Sequence, residues 1–343
     1  MSVMNVRRRP TPSRISTALA ATTAAALGLG ALTACSTSSG DGKVDGKLDV
    51  VASFYPMQFL AEEIGKEHVK VSNLTEPGTE PHDLDISAQQ TGHLQKAGLV
   101  LYLKGLQPAV DESVAQSSAK VKVDAATLTS QEKHGTEVGG HAEEHDEHGD
   151  HEEHGEEEGH EGHGHDHDHG GLDPHIWLDP VKYAEVAEGV GKALEKADPD
   201  HKADYRKNTA ALVGKLDALH GRFEKGLAKT DTKVFITTHA AFGYLAERYG
   251  LTEEAISGLD PESEPSAGRV RDLQKMAKAD GVTTVFYETL VSGKTAKTLA
   301  DDGGLKTDVL DPVEGITGKS KGEDYLQVMD ANLAALKKAL GSQ

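Results

Sequence analysis

HKADYRKNTAALVGKLDALHGRFEKGLAK, residues 201–229, contains no proline and carries Tyr205, Leu212, Leu216, Leu219, Phe223 and Leu227 as one apolar stripe. Spacings of three, four and seven place such side chains on one face of an α-helix. Unbroken, the helix would run about 45 Å at about 1.5 Å per residue, long enough to pass along two lobes. Asp198-Pro199-Asp200 punctuates the chain just before it.

On both sides of this helix the pattern alternates. Upstream, 48–53 reads as a buried strand, 56–64 as a helix opening on Pro56, and 69–74 as a second strand. A helix over 87–97 capped by Ser87, a strand over 99–103 and a helix over 181–197 follow, the last with Val186, Val190 and Leu194 at helical spacing. Downstream come a strand at 234–237, helices at 240–249 and 266–279, and a strand at 283–287. A helix at 293–300, a strand at 307–310 and a terminal helix at 325–340 complete the series. Alternation of this kind implies mostly parallel sheets covered by helices. The expected fold is α/β: two lobes, each a central sheet flanked by helices, joined by one long connecting helix. The boundaries are 47–197 for the N-terminal lobe, 198–229 for the helix and 230–343 for the C-terminal lobe. One large sheet would explain the long helix less well.

Residues 1–34 read as a signal peptide: Arg7, Arg8, Arg9 and Arg14 precede an apolar run rich in Ala, Leu and Gly. The only cysteine ends Leu32-Thr33-Ala34-Cys35 and is followed by a Ser/Gly tract. That arrangement resembles the lipobox of bacterial lipoproteins, which implies lipidation of Cys35, a flexible leader over 35–46, and anchorage on the outer face of the cell membrane. A single cysteine excludes an internal disulfide framework and any multi-cysteine zinc module. With 36 Lys+Arg against 56 Asp+Glu, nothing supports nucleic-acid binding, which needs clustered cations to neutralise phosphates.

The charge is concentrated. Residues 131–169 hold 15 carboxylates, 11 histidines and one lysine. So few apolar residues cannot build a core, and 131–171 is expected to be a disordered acidic insert. His141, His145, His148, His151, His154, His160, His163, His165, His167 and His169 form a candidate accessory metal loop. Its sites should be weaker than a preformed one, because ordering a flexible loop opposes binding.

The remaining histidines divide. His68, His201, His220 and His93 sit among polar residues or on a helix and read as surface groups. His82 lies in the turn-rich Glu76-Pro77-Gly78-Thr79-Glu80-Pro81-His82-Asp83, just after a strand. His175 lies in Asp173-Pro174-His175-Ile176-Trp177-Leu178-Asp179-Pro180, beside the only tryptophan. His239 follows the strand at 234–237. Ligands of α/β sheets bind beyond the carboxyl ends of strands, and loops stiffened by proline lose less entropy on being fixed. Singly each histidine is explained by structure; together they favour a metal. Zn2+ takes imidazole and carboxylate in a tetrahedral shell, so one oxygen donor is missing. Leu310-Asp311-Pro312-Val313-Glu314-Gly315 offers Asp311 or Glu314, and residue chemistry leaves that choice open. Glu80 and Asp83 fit as groups that order the turn or that orient the imidazole.

Pro-His-Asp at 81–83, Asp-Pro-His-Ile-Trp-Leu-Asp-Pro at 173–180, Thr-Thr-His-Ala-Ala-Phe-Gly-Tyr-Leu at 237–245 and the acidic insert together resemble the zinc-specific branch of the solute-binding receptors of ABC importers (cluster 9, or A-I). The resemblance covers about residues 47–341. It implies one metal in an interlobe cleft, limited hinge motion, and His82, His175 and His239 as ligands, with a fourth position that varies in the family: a Glu in a Pro-hydrophobic-Glu stretch, which here falls on Glu314, an Asp near the same strand end, or water. It further implies a monomeric, non-enzymatic receptor whose partners are an ABC permease and its ATPase. The manganese branch places a carboxylate where His239 stands. Three nitrogens suit zinc better than manganese, although copper or nickel would bind them too.

Rival functions are a surface zinc-buffering or adhesion lipoprotein and, less well supported, a zinc hydrolase. His-Glu-x-x-His and a glycine-rich phosphate loop are both missing from the sequence.

Overall fold

The structure, a computed structural model, describes residues 42–138 and 172–342. The expected signal peptide, Cys35 and the ten histidines from His141 to His169 lie outside the described residues. In chain order the elements are β1 (Lys43–Val44), β2 (Lys47–Ala52), α1 (Tyr55–Gly65), β3 (Val69–Asn73), α2 (Ala88–Leu94), β4 (Leu99–Tyr102), α3 (Pro108–Gln116), β5 (Lys122–Asp124) and β6 (Glu137–Val138). Then follow α4 (Pro180–Ala197), α5 (Lys202–Leu227), β7 (Val234–Thr237), α6 (Gly243–Tyr249), β8 (Thr252–Ala255), α7 (Ala267–Ala279), β9 (Thr284–Tyr287), α8 (Lys294–Gly303), β10 (Lys306–Val309) and α9 (Tyr325–Ala339).

Two sheets carry the fold, and they share one topology. The first runs β3-β2-β4-β5 and the second β8-β7-β9-β10, all parallel, so in each the first long strand sits between the second and third. This doubly wound order directs the loops at the carboxyl ends of the strands to one edge. Each sheet also carries a two-residue antiparallel strand, β1 on β2 and β6 on β8. The β1–β2 connection is Asp45-Gly46, both with positive φ (53° and 79°), as a two-residue hairpin turn requires. The end of the expected flexible leader is therefore ordered against the sheet, and Lys43 Nζ lies 2.8 Å from Asp198 Oδ1. β6 departs from the expected boundaries as well, since it belongs to the stretch assigned to the first lobe but pairs with the second sheet.

The apolar stripe of α5 behaves as its spacing demands: Tyr205, Leu212, Leu216, Leu219, Phe223 and Leu227 are all buried. The helix has 26 residues, about 39 Å at about 1.5 Å per residue. It packs on α1 and α4 of the first half and on α6 and α9 of the second. Asn208 donates to the Ile64 carbonyl at the end of α1 (3.0 Å), and Arg222 forks onto Asp330 of α9 (2.8 and 3.0 Å). One continuous apolar core, from Leu48 and Phe54 through Trp177, Tyr183 and Phe223 to Phe235 and Leu336, lies between the sheets. The outer face of each sheet has its own smaller core, Val51, Leu94, Val100 and Val110 on one side and Ile236, Leu273, Val285 and Leu299 on the other.

Five elements escape sequence patterning: the two-residue β1 and β6, and α3, β5 and β8. β8 reads Thr-Glu-Glu-Ala, yet all four residues are buried. Glu253 accepts from Thr237 Oγ1 (2.8 Å) and the Phe242 amide (3.2 Å), while Glu254 pairs with Arg269 (2.8 Å). Buried carboxylates persist where such partners compensate desolvation, and those partners lie in other segments. With β8 counted, β10 is the fourth strand of its sheet, not the third.

Candidate metal centre

The loop after β3 turns through Gly78 at φ +88° and is tied by the Thr79 amide to the Glu76 carbonyl (3.0 Å). Glu80 Oε1 accepts from the His82 amide (3.0 Å) and Oε2 from the Asp83 amide (3.3 Å). Of its two expected roles Glu80 takes the first, fixing the turn rather than the imidazole ring; Asp83 is exposed. Burial raises the Glu80 pKa above the ordinary carboxylate range.

His175 opens a single 3₁₀ turn, Ile176–Leu178, ahead of α4. Asp173 Oδ1 accepts both its amide (2.9 Å) and its ring Nδ1 (2.7 Å). A carboxylate accepts only, so in the neutral ring Nδ1 carries the proton and Nε2 offers the lone pair. Trp177 packs against the ring (centroids 5.1 Å) and donates from Nε1 to the Pro312 carbonyl (2.7 Å), which joins this segment to the loop after β10. Tyr325 Oη donates back to the Trp177 carbonyl (2.5 Å).

His239 leaves the carboxyl end of β7, with α6 starting only at Gly243. Its Nδ1 donates to Glu288 Oε1 (2.8 Å), which also accepts from Thr238 Oγ1 (2.6 Å). Glu288 itself directly follows β9.

The two fourth-ligand candidates have different fates. Asp311 Oδ1 accepts from the Val313 amide (2.9 Å) and Oδ2 from Thr289 Oγ1 (3.0 Å), so its carboxylate is spent inside the turn. Val313, fully buried and β-branched, is held at φ +59°. That left-handed conformation costs about 1–3 kcal/mol and directly precedes Glu314, which points into the cleft.

There the donors meet. Glu314 Oε1 lies 3.4 Å from His82 Nε2, 3.4 Å from His175 Nε2 and 3.6 Å from His239 Nε2. The three ring centroids are 5.4, 5.4 and 6.0 Å apart, and one donor atom from each of the four residues falls within 4.8 Å of the others. Bonds of 2.0–2.2 Å at the tetrahedral angle separate neighbouring ligand atoms by about 3.3–3.6 Å. His175 Nε2, His239 Nε2 and Glu314 Oε2 are buried without a protein hydrogen-bond partner, which is the state of groups shaped for an ion. Three neutral imidazoles and one carboxylate fit a zinc-like cation in number, type and spacing.

The electrostatics agree. Burial alone would lift Glu314, yet contacts to His175, His239 and His82 hold it well below the usual carboxylate range. Burial likewise opposes charge on His175, but Asp173 and Glu314 outweigh it and push the ring up to about 9. His239 is raised well above its ordinary value against the same desolvation, by Glu288 and Glu314. Protons and a metal ion therefore compete for the same nitrogens.

His82 is the least enclosed of the four, with a side chain 11% exposed while the others are at 1% or below. It opens onto a cavity of about 690 Å³ that also touches Lys104, Gln131, Leu172, Pro174 and Asp260. His68 and His201 instead stack on each other (centroids 3.9 Å), His93 faces Asp49 (3.2 Å), and His220 faces Tyr249 Oη (3.1 Å); none joins the cluster. Sequence reasoning left Asp173 and Glu288 unassigned. The rule that pointed to His239, a polar residue at the carboxyl end of a strand, also applies to Glu288.

The family described as zinc-uptake complex component A, periplasmic, matches residues 50–339. The high-affinity zinc uptake system protein ZnuA of Bacillus subtilis is 37% identical over 316 residues, covering 90% of this chain and 93% of that protein. The zinc-binding lipoprotein AdcA of Streptococcus pneumoniae is 36% identical over 309 residues, 89% of this chain, and the chain spans 58% of that longer relative. Among solved structures, the Zn(II)-bound ZnuA-like domain of the pneumococcal AdcA aligns with TM-score 0.67 and 31% identity, over 86% of this chain and 99% of that domain. The laminin-binding protein of Streptococcus agalactiae, described as having adhesin and metal-transporting activity, aligns with TM-score 0.71 and 27% identity over 86% and 99% of the two chains.

Proposed function

The chain belongs to the family of periplasmic zinc-uptake component A proteins, and on that premise we propose that it is an extracytoplasmic receptor that captures Zn2+ and delivers it to an ABC permease driven by its ATPase. It is a binding protein, not an enzyme. The observation that carries this reading is the convergence of His82, His175, His239 and Glu314 at ligand spacing in a cleft lined from both sheets.

The ion enters past His82, the ring nearest solvent, and exchanges protons for metal at His175 and His239. Asp173 and Glu288 hold those two rings so that their Nε2 lone pairs face Glu314. All four metal-binding groups then sit in low-dielectric surroundings where one carboxylate balances part of the ionic charge. Because a single core spans both sheets, loading shifts the loops around the cleft rather than swinging whole lobes. The permease reads that difference between loaded and free forms.

Leu172, where the described chain resumes after the acidic insert, lines this cavity. We assign the histidines from His141 to His169 to weaker accessory zinc binding next to the entry, and Cys35 to a lipid anchor that holds a monomeric receptor at the outer face of the membrane. Adhesion has no residue of its own in the described fold to support it.

Metal analysis with chelator competition tests the central reading. One tightly held zinc per chain is expected beyond the insert's weaker ions, lost when His175 is replaced by Ala. Zinc-limited growth supported by a His82/His175/His239 triple variant would overturn the receptor role.

A further inference from the structure

Asp173 serves two imidazoles, and only one belongs to the cleft. While Oδ1 holds His175, Oδ2 accepts from Nδ1 of His134 at 2.7 Å. His134 lies at the leading end of the acidic insert, and its side chain is only 7% exposed. With Nδ1 donating to Asp173, Nε2 presents its lone pair on the opposite side, toward Glu247 Oε2 at 3.4 Å. Glu132 completes the group: a donor atom from each of Glu132, His134 and Glu247 lies within 4.8 Å of the others. The 3.4 Å separation is longer than the 2.7–2.9 Å of a charge-assisted hydrogen bond and equals the spacing of His82 and His175 from Glu314 in the cleft.

The surroundings are built to hold the ring there. A Cβ on Gly243 would sit 2.5 Å from His134 Nδ1, so the first residue of α6 leaves the space that the imidazole fills. Tyr244 packs edge-on against the ring (centroids 4.5 Å). Its hydroxyl accepts from the Glu132 amide (2.9 Å) and donates to the Asp173 carbonyl (2.8 Å). The Asp173 amide in turn donates to the Glu132 carbonyl (2.8 Å), pinning the two ends of the insert together. Glu247 stands one helical turn beyond Gly243, on the same face of α6.

We propose that Glu132, His134 and Glu247 form a second divalent-cation site, one nitrogen and two carboxylates, outside the cleft and oriented by the same Asp173 that orients His175. Its class of ligand is a zinc-like transition cation, with water filling the remaining position. Lys182 Nζ already lies 3.0 Å from Glu132 Oε1, and Glu132 and Glu247 are 41% and 56% exposed. The site therefore binds more weakly than the cleft. It does not depend on the chain being a transport receptor.

The test uses the full-length chain with the ten histidines from His141 to His169 replaced by Gln, so that His134 is the only imidazole left in the insert. Zinc titration with a chelating competitor is expected to find two ions per chain, the second at least about tenfold weaker than the first. Glu247→Gln, a change at an exposed helix position, is expected to remove the weaker ion alone. His134→Gln should do the same, and His175→Ala should remove the tighter one. A single ion in the parent, or two ions that persist in Glu247→Gln, would overturn the second site and leave His134 as an imidazolium paired with Glu247. Retention of the tighter ion in His175→Ala would instead count against the cleft reading, so the two failures are distinguishable.

Discussion

The cleft cluster and the outer cluster lean on the same carboxylate but differ in what surrounds them. In the cleft, three imidazoles enclose Glu314 and exposure is close to zero. In the outer cluster one imidazole meets two solvent-touched glutamates, with a lysine already paired to one of them. Similar spacings of nitrogen and oxygen thus serve different ends. A dry site with three imidazoles selects a borderline-soft cation and holds it tightly, whereas an oxygen-rich, half-wet site binds loosely and exchanges readily. The lesson is that burial and donor type, not distance alone, separate storage from capture.

The largest effect expected from breaking this contrast is His175→Ala. Losing an outer partner of a ligand typically costs about 10–100-fold in metal affinity, so losing the ligand itself should cost more than about 100-fold in a chelator competition. The outer cluster should keep its ion.

Asp173→Asn comes next, with a loss of about 10–100-fold at the cleft together with a change at the outer cluster, because the amide keeps one uncharged accepting oxygen for two rings and turns an NH2 donor toward the other. Glu288→Gln supplies the contrast: a comparable loss at the cleft through His239, and none outside. Equal behaviour of the two variants at both sites would show that Asp173 does not join them.

Acidity should also weaken the cleft. His175 titrates at about 9 and His239 well above its ordinary range, so at neutral pH an entering ion must displace protons from both rings. Apparent cleft affinity is expected to fall as pH drops from about 8 to 6, by up to about tenfold per unit for each proton displaced. Isothermal titration in buffers of different ionisation enthalpy counts those protons, and a count of zero would contradict the assignment.

The smallest effect concerns Glu253 behind the His239 loop. Burial raises its carboxyl from 4.5 to about 7, so the folded state prefers the neutral form. Its stabilising contribution is complete below about pH 4.5 and is lost as pH rises through about 7. Glu253→Gln, which stays neutral, should raise Tm at pH 8 by a few degrees and change it little at pH 4. A pH-independent difference would show that the carboxyl is already ionised in the fold.

Much of this was legible before any coordinates. The stripe from Tyr205 to Leu227 announced a helix buried along its whole length, because α-helical period and burial reinforce each other over 26 residues. β8 was not legible, because Thr-Glu-Glu-Ala looks like a surface turn until Thr237 arrives from elsewhere to hydrogen-bond Glu253 and Arg269 to pair with Glu254. The choice between Asp311 and Glu314 was hidden for a related reason. It depends on Asp311 bonding the amide of a residue in left-handed conformation, and nothing about Val313 in a sequence predicts positive φ.

The chain's order of residues alone determined that two α/β halves flank one long helix and that three histidines stand at loops able to reach a common point. Periodicity and strand-end position are local properties, and local properties survive in a linear text. Tertiary structure decided which oxygen completes the quartet, which carboxylates aim the rings, and that Asp173 faces two ways at once. Those are pairings between distant segments, and a hydrogen bond or a ligand shell exists only when folding brings its two sides together.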